Sequence, residues 1–259
     1  MARQPFELTG WTTFIPSGVL ESYVVKTLAL AKTLFAMPES EKEKYSFPQK
    51  NFNIGWRRPK DSNRPDEVWQ YTASDTEEFW PAHLKEEKEL LLLLLYHSIE
   101  EVCSFLSDVL RETGVQPDEF IDSLRCGQSV VRLLHYLPAG NALRFNDHTD
   151  FGMLTLFAGE TIGGLELIDG SGQWRPARPQ PSRQIIAAGE MLSARTNGRI
   201  PPARHRVTAC RDERWSIAIF LHPSPDYIVG TNEDGSKLRA NDFFHKMMQR
   251  VIPYEGRKY

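Results

Sequence analysis

The hydrophobic rhythm of the chain changes near its midpoint. Between Val19 and Met37 the apolar residues Leu20, Tyr23, Val24, Leu28, Ala31, Leu34 and Phe35 return at intervals of three and four. That repeat gathers side chains on one face of a helix. Pro38 ends it, and Pro38-Glu39-Ser40-Glu41 reads as the start of a short acidic helical turn. A loop rich in Asn, Arg, Pro and Asp is expected from about Gln49 to Asp66. Glu86 to Thr113 predicts a longer helix with Gly114 at its C-terminal stop, and Pro117 to Leu124 a short third one. From Gln128 onward the period shortens. Val130 to Tyr136, Met153 to Ala158, Gly164 to Ile168, Gln184 to Ala188, Ala203 to Ala209 and Arg214 to Leu221 are short β-branched or alternating runs, punctuated by Gly, Pro, Asn and Asp. Asn241 to Val251 returns to helical spacing through Phe243, Phe244, Met247 and Met248.

Many short strands framed by helices predict a mostly β protein with flanking helices and a jelly-roll core, that is, a double-stranded β-helix. A single domain is expected over 1–259, with a mainly helical part over 1–127, the core over 128–222 and a C-terminal helical segment over 223–259. An apolar fraction of 41% can fill such a core, and 25% charged residues cover an ordinary surface. The net charge of −3, with both signs interspersed, leaves no basic stripe for a nucleic-acid backbone. Cys103, Cys126 and Cys210 are odd in number and widely spaced. They form neither a disulfide framework nor a thiolate zinc motif, which fits a reducing compartment. Met1 to Gly18 lacks the pattern of a secretory signal, and the most apolar run, Leu90 to Tyr96, is far shorter than the ~20 residues that cross a bilayer. The expectation is a cytoplasmic protein with a small-molecule substrate and neither a nucleic-acid nor a membrane partner. No pattern in the chain encodes an oligomeric state.

Candidate chemistry lies in the strand-rich half. In His148-Thr149-Asp150 the imidazole and carboxylate are two residues apart, so on a strand edge both project to one side and can grip one ion. His205 stands far away in Arg204-His205-Arg206-Val207, and Arg214-Trp215-Ser216 begins nine residues later on the next expected strand. Two histidines and one carboxylate with open positions are the ligand set of non-haem iron(II) oxygenases. Three protein donors leave three positions on a six-coordinate metal. A 2-oxo acid can chelate two of them through its keto oxygen and adjacent carboxylate, and dioxygen can take the third. Singly, each piece has an ordinary structural reading, because histidines near acids and exposed Arg-x-Ser pairs are common. Their order, and the residues between them, set them apart.

His148-Thr149-Asp150-Phe151-Gly152-Met153-Leu154-Thr155-Leu156-Phe157 resembles the metal-binding strand of the isopenicillin N synthase-like 2-oxoglutarate/iron(II) dioxygenases. Gly163-Gly164-Leu165-Glu166-Leu167 and Gln173-Trp174 resemble the family's glycine-glycine-leucine strand and its tryptophan. Thr196-Asn197-Gly198-Arg199 with His205-Arg206-Val207 resembles its second histidine segment, and Arg214-Trp215-Ser216-Ile217-Ala218-Ile219-Phe220 its Arg-x-Ser strand. Arg132-Leu133-Leu134-His135-Tyr136-Leu137-Pro138 looks like the strand that carries a cosubstrate-contacting tyrosine. The likeness covers roughly residues 10 to 255, with its specific motifs in 132 to 220.

The resemblance implies Fe(II) held by His148, Asp150 and His205, and 2-oxoglutarate held at its distal carboxylate by Arg214 and Ser216 with Tyr136 as a third contact. Dioxygen would be the second cosubstrate, with succinate and carbon dioxide released as a small metabolite is hydroxylated, desaturated or cyclised. Three departures stand out. Leu134 replaces an Asn, Ala187-Ala188-Gly189-Glu190 replaces Asn-x-Gly-Asp, and the opening Ile-Pro-x-Ile-Asp strand has no counterpart before the first helix. An acid at position 150 argues against halogenation, which needs a small residue there.

Arg57 and Arg58 could close over the barrel mouth and hold an acidic group, and Phe145, Phe151 and Phe220 are substrate-wall candidates, with Leu154 and Leu165 beside them. Arg144 and Asn146, just before the metal strand, could also touch substrate. His135, next to Tyr136, should face the other side of its strand and pack. The competing readings are an iron oxidase of the same fold that uses no 2-oxoglutarate, a non-catalytic jelly-roll binding module, and a zinc hydrolase.

Overall fold

Two antiparallel sheets enclose a cavity in the computed structural model, which describes residues 3–46, 54–59, 65–73, 80–140 and 143–251. The larger sheet runs β1 (Trp11–Phe14), β9 (Gln184–Ala188), β6 (Leu154–Glu160), β11 (Arg214–Leu221), β4 (Val130–Tyr136), β3 (Glu67–Thr72), β2 (Gly55–Arg57). The smaller runs β5 (Phe145–His148), β10 (His205–Val207), β7 (Leu165–Ile168), β8 (Trp174–Pro176). This is the jelly-roll core with flanking helices that the strand pattern predicts.

Two long helices cover one face of the larger sheet. The apolar stripe of α2 (Gly18–Ala36) buries Leu20, Val24, Ala31 and Leu34 against β4, β6 and β11. Ser17 caps it through Oγ, and Glu101 of α4 (Lys85–Glu112) accepts from both the Ser17 amide and hydroxyl, fastening the start of one helix to the middle of the other. Gly114, in the left-handed region at φ +84°, turns the chain out of α4. The segment Ala82–Glu112 is long and apolar enough to cross a membrane by length and composition. One stripe of it, including Leu91, Leu94, Val102, Leu106 and Leu110, is buried in the core beside α2 and α5 (Pro117–Arg125).

The sheet does not respect a boundary at residue 128. Three of its strands come from the part read as mainly helical, and α1 (Arg3–Thr9) and β1 precede α2, so a strand of different sequence opens the larger sheet. β3 escapes sequence patterning because all six of its residues are buried, which leaves no polar–apolar alternation. β2 lies within the expected 49–66 loop, of which residues 49–53 and 60–64 lie outside the described residues. At the C-terminal end a hairpin of β12 (Ile228–Thr231) and β13 (Lys237–Arg239) comes before α7 (Ala240–Val251), and 252–259 lie outside the description.

Candidate metal and cosubstrate site

His148 ends β5 and His205 begins β10, and the antiparallel register sets them directly opposite one another. Their rings stand 4.2 Å apart by centroid. Asp150 follows in the turn after β5. Its Oδ1 lies 3.8 Å from His148 Nε2 and its Oδ2 3.7 Å from His205 Nε2, and one donor atom from each residue fits within 4.8 Å of the others. The tautomers are set from behind. Nδ1 of His148 is 2.8 Å from the Asn146 carbonyl and Nδ1 of His205 is 3.1 Å from that of Ala203. A carbonyl only accepts, so both Nδ1 atoms donate to it, and the Nε2 atoms, which face Asp150, are the ones offered to a metal. Burial would raise the Asp150 pKa, but the two histidines and a 2.6 Å bond from Thr155 Oγ1 outweigh it and hold the carboxylate ionised. Two imidazole nitrogens and one carboxylate suit a divalent first-row metal such as iron(II).

The other end of the cavity carries a buried guanidinium. On β11, Arg214 and Ser216 are two apart and both line it, with Tyr136 from β4 paired opposite Arg214. Arg214 is buried, its Cζ 4.7 Å above the Tyr136 ring. Burial lifts the Tyr136 phenol above its ordinary range, against the pull of Arg214. Arg214 Nη1 and Ser216 Oγ are buried with no protein partner. Such donors are costly to leave unmade, and here they point to an acceptor supplied by a ligand.

Phe145 and Phe220 line the cavity, with Leu134, Phe157, Leu165 and Val207. Phe151 does not. Its ring sits edge-on to Phe244 of α7, because the turn that aims Asp150 inward carries the next side chain outward. Leu154 is plain core. Arg58 corrects the expectation of a clamp at the mouth. It pairs with Glu39 at 2.9 Å and Glu67 at 3.1 Å on the helix-covered side. Arg57 lies in the row of Val68, Leu134 and Ser216 by register, on the cavity side of the sheet but not among the lining residues. Arg144 is taken up by an ion pair with Asp66.

Two charged residues, one lining the cavity and one paired with Arg214, escaped the sequence reading. Arg132 lines it two positions before Leu134, with its Cζ 4.4 Å from the Phe220 ring centroid and Nε bonded to Gln70. The alternation Arg132, Leu134, Tyr136 was the signal. Glu160, at the end of β6, is paired with Arg214. The departure at 187–190 also gains a role, since Glu190 Oε1 accepts from Thr149 Oγ1 at 2.6 Å, steadying the residue between the two ligands.

A double-stranded β-helix with a two-histidine, one-carboxylate cluster and a buried arginine in the same cavity defines the class of non-haem iron oxygenases. Residues 127–223 match the family described as the 2OG-Fe(II) oxygenase superfamily. The chain is 30% identical over 258 residues to the proline hydroxylase buaE of Petromyces alliaceus, covering 86% of this chain and 79% of that one. It is 35% identical over 114 residues to gibberellin 2-beta-dioxygenase 6 of Oryza sativa subsp. japonica, covering 43% and 32%. A full-length Neurospora crassa protein, solved in complex with alpha-KG, superposes with a TM-score of 0.80 at 18% identity, over 95% of this chain and 88% of that one. The chain belongs to the 2OG-Fe(II) oxygenase superfamily. Its matches span 32% to 47% of the length of the rice enzyme and of two fungal 2-oxoglutarate-Fe(II) type oxidoreductases.

Proposed function

We propose that this protein is a 2-oxoglutarate-dependent dioxygenase that oxidises a small organic metabolite and releases succinate and carbon dioxide. The observation that carries the reading is one cavity with two kinds of readiness. Three metal donors face each other with each Nδ1 bound from behind, and Arg214 and Ser216, which line the same space, each keep a buried polar atom without a protein partner.

In this reading His148, Asp150 and His205 hold Fe(II). The bound iron and 2-oxoglutarate supply the activation of dioxygen and the oxidising power. The protein's own residues do the rest. Arg214 and Ser216 receive the distal carboxylate, which a guanidinium meets through charge-assisted hydrogen bonds. Tyr136 supports the guanidinium from below. Leu134, Phe145, Phe157, Leu165 and Phe220 form an apolar wall that excludes water and positions the substrate. Arg132 adds a cation to that wall, which favours a mainly apolar substrate bearing an acidic or strongly accepting group. Free Cys103, Cys126 and Cys210 support a reducing compartment.

Anaerobic Fe(II) titration with 2-oxoglutarate should give a weak visible charge-transfer band, and aerobic turnover in a metabolite screen should release succinate in step with oxidised product. Asp150→Ala should reduce both to background. Full turnover without Asp150 would remove it from the metal, and product without succinate would favour an oxidase that uses no 2-oxoglutarate.

A further inference from the structure

Glu160, buried against Arg214, has no part in the proposed chemistry. Glu160 stands opposite Ser216 in the register of β6 and β11. Its Oε2 accepts from Arg214 Nε at 3.0 Å and also from Nη2. Both side chains are enclosed, with 3% of Arg214 and 0% of Glu160 exposed. Such a pair is weak evidence of stability, because desolvating two charges offsets most of their attraction. What it does fix is direction. The guanidinium is a planar fork. One edge is occupied by Glu160 and one face by the Tyr136 ring, which leaves Nη1 as the guanidinium nitrogen without a protein partner in a residue that lines the cavity. Glu160 Oε1 is itself buried without a partner, as are Arg214 Nη1 and Ser216 Oγ. A carboxylate arriving at the two donors therefore lies close to a charge of its own sign.

We propose that Glu160 is a positioning residue for 2-oxoglutarate. It holds Arg214 by one edge so that Nη1 and Ser216 meet the distal carboxylate, and its own charge limits how tightly that carboxylate binds. The inference rests on the proposed function and assigns a role to a residue that neither contacts the metal nor faces the substrate wall. Glu160→Gln separates the two effects, since its amide oxygen can still accept from Arg214 while the charge is gone. Glu160→Leu removes both.

The test is equilibrium binding, measured without oxygen by tryptophan fluorescence on metal-loaded wild type and both variants. The ligands are 2-oxoglutarate and 2-oxopentanoate, which chelates alike but lacks the distal carboxylate. Glu160→Gln should lower the Kd for 2-oxoglutarate by about tenfold or more, the scale of one like-charge repulsion at an effective dielectric near 20. Its Kd for 2-oxopentanoate should not move. Glu160→Leu should bind 2-oxoglutarate more weakly than Glu160→Gln. The near-isosteric Gln variant decides the charge effect even where the Leu variant does not fold, and a Leu variant that binds 2-oxoglutarate as tightly as the Gln variant overturns the positioning role. Unchanged or weaker 2-oxoglutarate binding by Glu160→Gln, or equal shifts for both acids, overturns the proposal. A wild-type protein that binds neither acid refutes the dioxygenase reading itself, and this inference with it.

Discussion

Asp150 must satisfy more than a metal. Thr155 Oγ1 donates to its Oδ2 at 2.6 Å, which fixes the carboxylate's rotation and leaves Oδ1 turned toward His148. Groups that orient a metal ligand commonly govern affinity by 10- to 100-fold. Thr155→Val keeps the shape of a fully buried side chain and removes that donor. It should weaken Mn(II) or Fe(II) binding by about tenfold, as read by metal titration. Unchanged affinity would show that Asp150 holds its rotamer without help. At this scale, alternation was the legible signal. Two residues apart on a strand means one face, and that rule brings Arg214 and Ser216 into one cavity. The same rule marks Arg132, which the sequence reading passed over. Arg58 could not be read locally, because Glu39 and Glu67 reach it from separate elements. Glu160 was equally hidden. The register of β6 against β11 shifts at Ile217/Ala218, so simple alternation along β6 does not say which way it faces.

Between elements, the turn that carries Asp150 is braced by the start of α6 (Glu190–Arg195). Glu190 N donates to the Asp150 carbonyl at 2.8 Å and Gly189 N to that of Met153 at 2.9 Å. The approach is so close that a Cβ on Gly189 would lie 2.1 Å from the Gly152 oxygen, against backbone that cannot yield cheaply. Gly189→Ala should therefore destabilise the fold by at least about 2 kcal/mol, the scale of overpacking a tight site, and weaken metal binding as the turn is pushed aside. A melting temperature and metal affinity equal to wild type would show that the turn moves freely. The sequence reading identified α2 by its long stripe at helical period, and α4 and α5 by the Gly and Pro that bound them, and it found β4, β9 and β11 as apolar runs. It missed α6, whose six residues are too few to show a period, and β5, whose exposed Asn146 and Asp147 give no apolar run.

Across the whole molecule, a buried ionic network ties the helical layer to the sheet on the side away from the cavity. Lys42 Nζ, from the short helix α3 (Glu39–Lys42), bonds the Phe35 carbonyl at 2.9 Å and Glu67 Oε1 at 2.6 Å. Glu67 Oε2 meets His135 Nδ1 at 3.1 Å, and His135 Nε2 meets Glu213 at 2.6 Å. The imidazole lies between Phe35 and Trp215, with ring centroids at 5.2 Å and 5.4 Å. This is the packing role expected of a residue facing away from Tyr136. Burial works against both charges. The hydrogen bond from His135 and the Lys42 ammonium nevertheless hold Glu67 at about 2, below its ordinary 4.5. Hydrogen bonds to Glu67 and Glu213 likewise raise His135 above its ordinary 6.5. The signs oppose each other. A depressed carboxyl stabilises fully above its unfolded pKa and loses that contribution as pH falls toward 2. A raised imidazole stabilises fully below 6.5 and loses its contribution as pH rises through its folded value. Both contributions are complete together only between 4.5 and 6.5, so urea midpoints should peak there and fall on either side. Glu67→Gln removes one titrating group and the principal partner of the other. It should flatten the acid limb and shallow the alkaline one, and identical profiles for the two proteins would show that the network contributes no pH-dependent stability to the sheet.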